Sequence, residues 1–142
     1  MLQQKIAIVG TSSLTENEER DARQYISYII KLHTPDTMVI SGGADGVDTL
    51  AIEIAKGLSY PTKEILPRFD GWKAYKERNI AIAQECDILY CISTPIHQTE
   101  CYHHNMNETT PKHERTGACW TRNRALLCGK QVHLFIAPNR NE

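Results

Sequence analysis

No stretch of this sequence stays apolar for the roughly 18 residues that a membrane-spanning helix needs, so a membrane partner is not expected. Met1-Leu2-Gln3-Gln4-Lys5 lacks the pattern of a secretory signal. An excess of either charge is missing as well: 16 Lys and Arg face 17 Asp and Glu, a formal −1. Phosphate neutralisation by a basic surface is therefore not indicated, and nucleic acid is not expected as a partner. A disulfide framework is absent too. The five cysteines (Cys86, Cys91, Cys101, Cys119, Cys128) are an odd count beside no export pattern. They read as thiols of a reducing compartment, so the cytoplasm is the expected location. No internal repeat or low-complexity segment appears, and 142 residues suit one domain over 1–142.

What the chain does have is a glycine-rich turn, Ser41-Gly42-Gly43-Ala44-Asp45-Gly46-Val47-Asp48, behind the apolar run Met38-Val39-Ile40. Val47, Leu50, Ala51, Ile54, Ala55 and Leu58 repeat at helical spacing after it. Three glycines thus occupy a strand-to-helix turn, where a backbone must take positive φ or approach something closely. Free N–H groups at such a helix start suit a phosphate. A tight turn packed on its own helix is the plainer alternative.

The other elements alternate in the same way. Lys5 to Gly10 is a buried strand, and Thr15 with Glu18 forms a capping box for a helix whose apolar face is Ala22, Tyr25, Ile26, Ile29 and Ile30. Pro61 to Pro67 is expected to hold a third, more polar strand around Glu64-Ile65-Leu66. A helix from Trp72 to about Glu85 follows, with Ile80 and Ala83 inward and Lys73, Lys76 and Arg78 on a basic flank. Asp87 to Ser93 is the fourth strand. Thr116-Gly117 opens a last helix that closes at Gly129, and Val132 to Ile136 is the fifth strand. The alternation predicts an α/β, Rossmann-like three-layer sandwich with a five-stranded, mainly parallel sheet ordered 3-2-1-4-5.

One span, the 95–115 loop, shows no periodicity, and loops of that length in a compact domain are usually functional. Cys101, His103, His104 and His113 within it, with Cys119 just beyond, offer enough donors for zinc, although their spacing fits no standard finger.

In an open α/β sheet, ligands sit outside the carboxyl ends of the strands. Gly10-Thr11-Ser12, the turn Ser41 to Gly46 and the helix start at Gly117 all fall on that edge. Arg78, Lys112 and Arg115 could add charge-assisted contacts. Asp45 and Asp48 would oppose a bare phosphate. They suit ribose hydroxyls, a bridging cation, or simply the helix N-terminus, Asp45 more than Asp48. Trp72, Tyr75 and Trp120 are candidates to stack on a base, or are core.

The Gly-Thr-Ser after the first strand, the glycine turn, the Trp-led helix carrying Arg78-Asn79, and Thr116-Gly117-Ala118 followed by Gly129-Lys130-Gln131-Val132 resemble the SLOG superfamily. The YspA-like members are the nearest in pattern, and the last helix and strand resemble DNA-processing protein A. The resemblance implies a nucleotide or nucleotide-derived ligand such as a nucleotide sugar, often in a homodimer. Its ligand-binding residues would be Gly10, Thr11, Ser12, Ser41, Gly42, Gly43, Ala44, Asp45, Gly46, Asp48, Arg78, Asn79, Arg115, Thr116 and Gly117. The LOG-type phosphoribohydrolases of that superfamily carry Pro-Gly-Gly-x-Gly-Thr with a following glutamate. Here the matching stretch is Arg115 to Thr121 without one, and only Asp48 or Glu114 stand as catalytic candidates. Three functions follow as expectations: a nucleotide-binding sensor or carrier first, a hydrolase of a nucleotide's N-glycosidic bond second, a single-strand binder third.

Overall fold

The computed structural model describes residues 2–94 and 117–137. The elements run β1 (Lys5–Gly10), α1 (Glu16–Lys31), β2 (Met38–Ser41), α2 (Val47–Gly57), β3 (Thr62–Glu64), α3 (Trp72–Glu85), β4 (Ile88–Ser93), α4 (Gly117–Leu127) and β5 (Gln131–Ile136). The sheet has the order β3-β2-β1-β4-β5, and every pairing is parallel. The expected class, strand number and order are all observed.

Side-chain alternation in β1 builds the layers. Ile6 and Ile8 face α1 and α2, packing with Ala22, Ile26, Ile30, Leu50 and Ala51. Ala7 and Val9 face the opposite way, toward Ile82, Ala83 and Ala125 of α3 and α4. A central parallel strand is covered on both faces, which is why β1 reads as a continuous apolar run. Thr15 starts α1 with a reciprocal pair: its amide donates to Glu18 Oε1 (2.9 Å), and the Glu18 amide donates to Thr15 Oγ1 (3.2 Å). The predicted capping box is therefore present.

Two expectations shift. The third strand lies at Thr62–Glu64, earlier than the run Glu64-Ile65-Leu66 suggested. Its partner β2 ends at Ser41, so pairing stops with Ser41 opposite Glu64, and Leu66 is left exposed. In α3 the buried residues are Ala74, Asn79, Ile82 and Ala83, so Ile82 takes the place expected for Ile80. A polar residue, Asn79, sits in the packed stripe, and a pattern built on apolar residues alone misplaces that face.

Candidate functional site

A cleft of about 650 Å³ opens at the carboxyl edge between the β1, β2 and β3 loops and helices α3 and α4. Val9, Gly10, Thr11, Ser12, Gly42, Gly43, Ala44, Asp45 and Asp48 line one side. Pro67, Asp70, Tyr75, Arg78, Asn79, Ala118 and Thr121 line the other.

The glycine turn is shaped by close approach. Gly46 has φ +78°, and a Cβ there would lie 2.3 Å from the Thr11 carbonyl oxygen. The Val47 amide donates to that same carbonyl (3.0 Å), pinning the start of α2 to the loop after β1. Gly43 also has positive φ, +75°, but its absent Cβ would meet only the tip of the exposed Leu66 side chain. One glycine is thus held against backbone and the other against something that can move.

Asp48 is the least expected part of the site. Its carboxylate is buried and accepts the Gly42 amide (3.1 Å), with the Gly10 and Ala44 amides also directed at it. Burial pushes its pKa up to about 6, although Arg78 and these amides pull the other way. So the turn's amides are largely spent on an internal anion. The N-cap of α2 is Gly46 with no side-chain capping bond, so neither Asp45 nor Asp48 caps this helix; Asp45 is exposed.

Helix α3 brings further donors to the cleft. Arg78 Nε donates to Asn79 Oδ1 (2.7 Å), and Nη1 donates to the Gly42 carbonyl. Arg78 Nη2 has no hydrogen-bond acceptor among the described residues. Since a guanidinium only donates, Asn79 must turn its oxygen toward Arg78. Its amide nitrogen is then fixed as a donor, on a residue only 3% exposed, with no partner among the described residues. A buried N–H left unmatched costs about 1–3 kcal/mol, which an incoming acceptor would recover.

Of the expected site residues, Gly10, Thr11, Ser12, Gly42, Gly43, Ala44, Asp45, Asp48, Arg78 and Asn79 come together on the cleft. Ser41 does not: its hydroxyl donates inward to the Ile8 carbonyl (2.7 Å). Gly46 packs beneath the turn rather than facing the cleft. Helix α4 begins at Gly117 as expected, and its Ala118 and Thr121 border the cleft. Pro67, Asp70 and Thr121 were missed; for Thr121, one helical turn beyond Gly117 was the available signal. Lys112, Glu114, Arg115, Thr116 and the metal candidates Cys101, His103, His104 and His113 lie outside the described residues, as does the side chain of Cys119.

Charge is unevenly placed around this edge. Asp45, Asp48 and Asp70 face Arg78 in the cleft. Just beyond, on α3 and α4, the Lys76 ammonium lies 5.9 Å and the Arg124 guanidinium 5.0 Å from the Trp120 ring centre.

The model of the family described as DNA recombination-mediator protein A matches residues 1–108. The chain belongs to that family. The match runs through β1 to β4, whereas likeness to DNA-processing protein A was expected in the last helix and strand. Among solved structures, the chain is similar to DNA processing protein A from Streptococcus pneumoniae, with a TM-score of 0.53 at 13% identity. The likeness covers 92% of this chain and 58% of that one, so it supports the fold. No curated protein matches the chain by sequence. Among the described residues, no helix is long and apolar enough to cross a membrane.

Proposed function

We propose that the carboxyl-edge cleft binds the phosphate of a nucleotide, either free or as a unit of a single strand. The observation that carries this reading is the Arg78–Asn79 pair. It brings to one cleft wall a guanidinium nitrogen and a buried amide donor that have no acceptor among the described residues. Both are donors and one is cationic, the chemistry from which a phosphate accepts. Asp45 and Asp70 repel phosphate but accept from ribose hydroxyls, so they suit the sugar end of such a ligand.

The single-strand form of this reading has its own support. The family is described by DNA recombination, and the near-zero net charge that argued against nucleic acid hides a local arrangement. Lys76 and Arg124 flank Trp120 on the α3–α4 face, and Trp72 stands beside it. Cations interleaved with aromatics are what a single strand needs; overall charge is not.

Calorimetric titration of the whole chain with inorganic phosphate, adenosine and guanosine monophosphates and a short oligothymidine tests the reading. Saturable binding that is lost in Arg78→Gln is expected. No heat from any of them ends the proposal. Tighter oligothymidine binding with a steep salt dependence selects the strand; equal affinity for monophosphates selects the free nucleotide. Chromatography of the monophosphates after incubation shows whether a base is released, the outcome expected of the hydrolase alternative.

A further inference from the structure

Between the end of β3 and the first residue of α3 stand three exposed large apolar side chains: Leu66 (59%), Phe69 (51%) and Trp72 (49%). Pro67 and Asp70, which alternate with them, line the cleft itself. Half-exposed tryptophan is an expensive choice for a surface with no partner.

Trp72 is also held in place. Its ring meets the buried Trp120 edge to face, with centres 5.8 Å apart and planes at 88°. That geometry fixes the indole's orientation while leaving much of it open to solvent. Along α3, Trp72, Tyr75 and Asn79 stand at i, i+3 and i+7, one stripe of the helix. Tyr75 and Asn79 line the cleft, so Trp72 continues the same stripe by one turn, about 5 Å further along the axis. Lys76 and Arg124 bracket Trp120 behind it. A ligand seated on this stripe therefore meets phosphate donors at one end and an oriented aromatic ring, backed by cations, at the other.

We propose that Trp72 is the stacking platform for the nucleobase of the ligand whose phosphate enters the cleft. This rests on the phosphate reading above and adds a chemical requirement to it: the ligand carries a planar base as well as a phosphate. Recognition is by the π-face, so it accepts any base. The same chemistry is offered by a free nucleotide and by a unit of a single strand.

The test is a ladder of probes on the intact chain: inorganic phosphate, ribose 5-phosphate, adenosine monophosphate and a short oligothymidine, each titrated by calorimetry and by tryptophan fluorescence. Base-bearing probes should bind more tightly than ribose 5-phosphate and quench fluorescence. In Trp72→Ala they should weaken by roughly 5- to 150-fold, the range that one stacked base represents, while phosphate and ribose 5-phosphate stay unchanged. Trp72→Phe should recover part of the loss and Trp72→Leu none, because leucine is apolar without a π-face. If oligothymidine alone gains from Trp72, the base belongs to a strand; if the monophosphate gains equally, it belongs to a free nucleotide. Equal weakening of all probes in Trp72→Ala, full recovery in Trp72→Leu, or no advantage of a base in the wild type would overturn the proposal. In each of those cases phosphate binding itself could still stand; absence of any binding removes both.

Discussion

The two edges of the sheet are made to different standards. At the amino edge a network of polar groups is paired within the chain. His33 has one ring nitrogen on Gln4 Oε1 (2.9 Å) and the other on the Tyr90 hydroxyl (2.8 Å), while its carbonyl accepts from Tyr60 (2.9 Å). The Lys5 amide donates to Asp87 Oδ2 (2.9 Å), and Thr34 donates to Asp36. At the carboxyl edge, Asn79 Nδ2, Thr94 Oγ1 and Asn123 Nδ2 are buried without partners among the described residues, and a buried carboxylate occupies the turn. Unmatched buried groups are rare enough to need a reason. Among the described residues, the amino edge pairs its polar groups internally, whereas the carboxyl edge keeps buried polar atoms without partners, the feature on which the proposed binding reading rests.

The largest effect is expected at Gly46. A valine there adds a β-branched side chain at positive φ and drives it into the Thr11 and Ser12 backbone. Gly46→Val should lose about 4 kcal/mol or more, or fail to fold, by urea denaturation. Gly43→Ala meets only the Leu66 tip and should lose about 1–2 kcal/mol, the left-handed penalty alone. Equal losses would show that φ, not the backbone contact, sets the requirement.

Next comes the division of labour. Asn79→Asp keeps an oxygen for Arg78 Nε but replaces the partnerless donor with a carboxylate. Phosphate binding should fall at least tenfold, roughly 1.4 kcal/mol, while the urea midpoint drops because a carboxylate is buried. An unaltered affinity would remove Asn79 from the site.

At the other edge the effect should reverse. Tyr90→Phe leaves the buried side of His33 without its partner and should lose about 1 kcal/mol of stability. It should not change ligand affinity. Any loss of binding would mean that the edges are coupled.

The smallest effect is on pH dependence, where the edges should pull in opposite directions. Asp48 is raised from 3.8 to about 6 by burial, so the folded chain holds its proton more tightly than the unfolded one. Its contribution is fully present below the unfolded value and fades as pH rises through about 6. His33 is lowered from 6.5, first by burial and then by His133. Its contribution is present above 6.5 and fades as pH falls. Urea midpoints across this range should rise more steeply with pH in Asp48→Asn, and more shallowly in His33→Gln.

The sequence by itself determined the sheet order, because apolar runs such as Lys5–Gly10 alternate with helical stretches and right-handed crossovers leave few windings. It also determined the α1 cap, whose partners are three residues apart, and the position of the glycine turn. Those features depend on local spacing. Only the tertiary structure decided that Asp48 turns back onto the amides of Gly42, Gly10 and Ala44. It alone set Ser41 against β1, placed Asn79 in a packed helix face with its amide oriented by Arg78, and ended β3 where β2 runs out. Each is settled by which chain segment, distant in sequence, arrives to accept or donate a hydrogen bond. Spacing along one strand or helix carries no record of that.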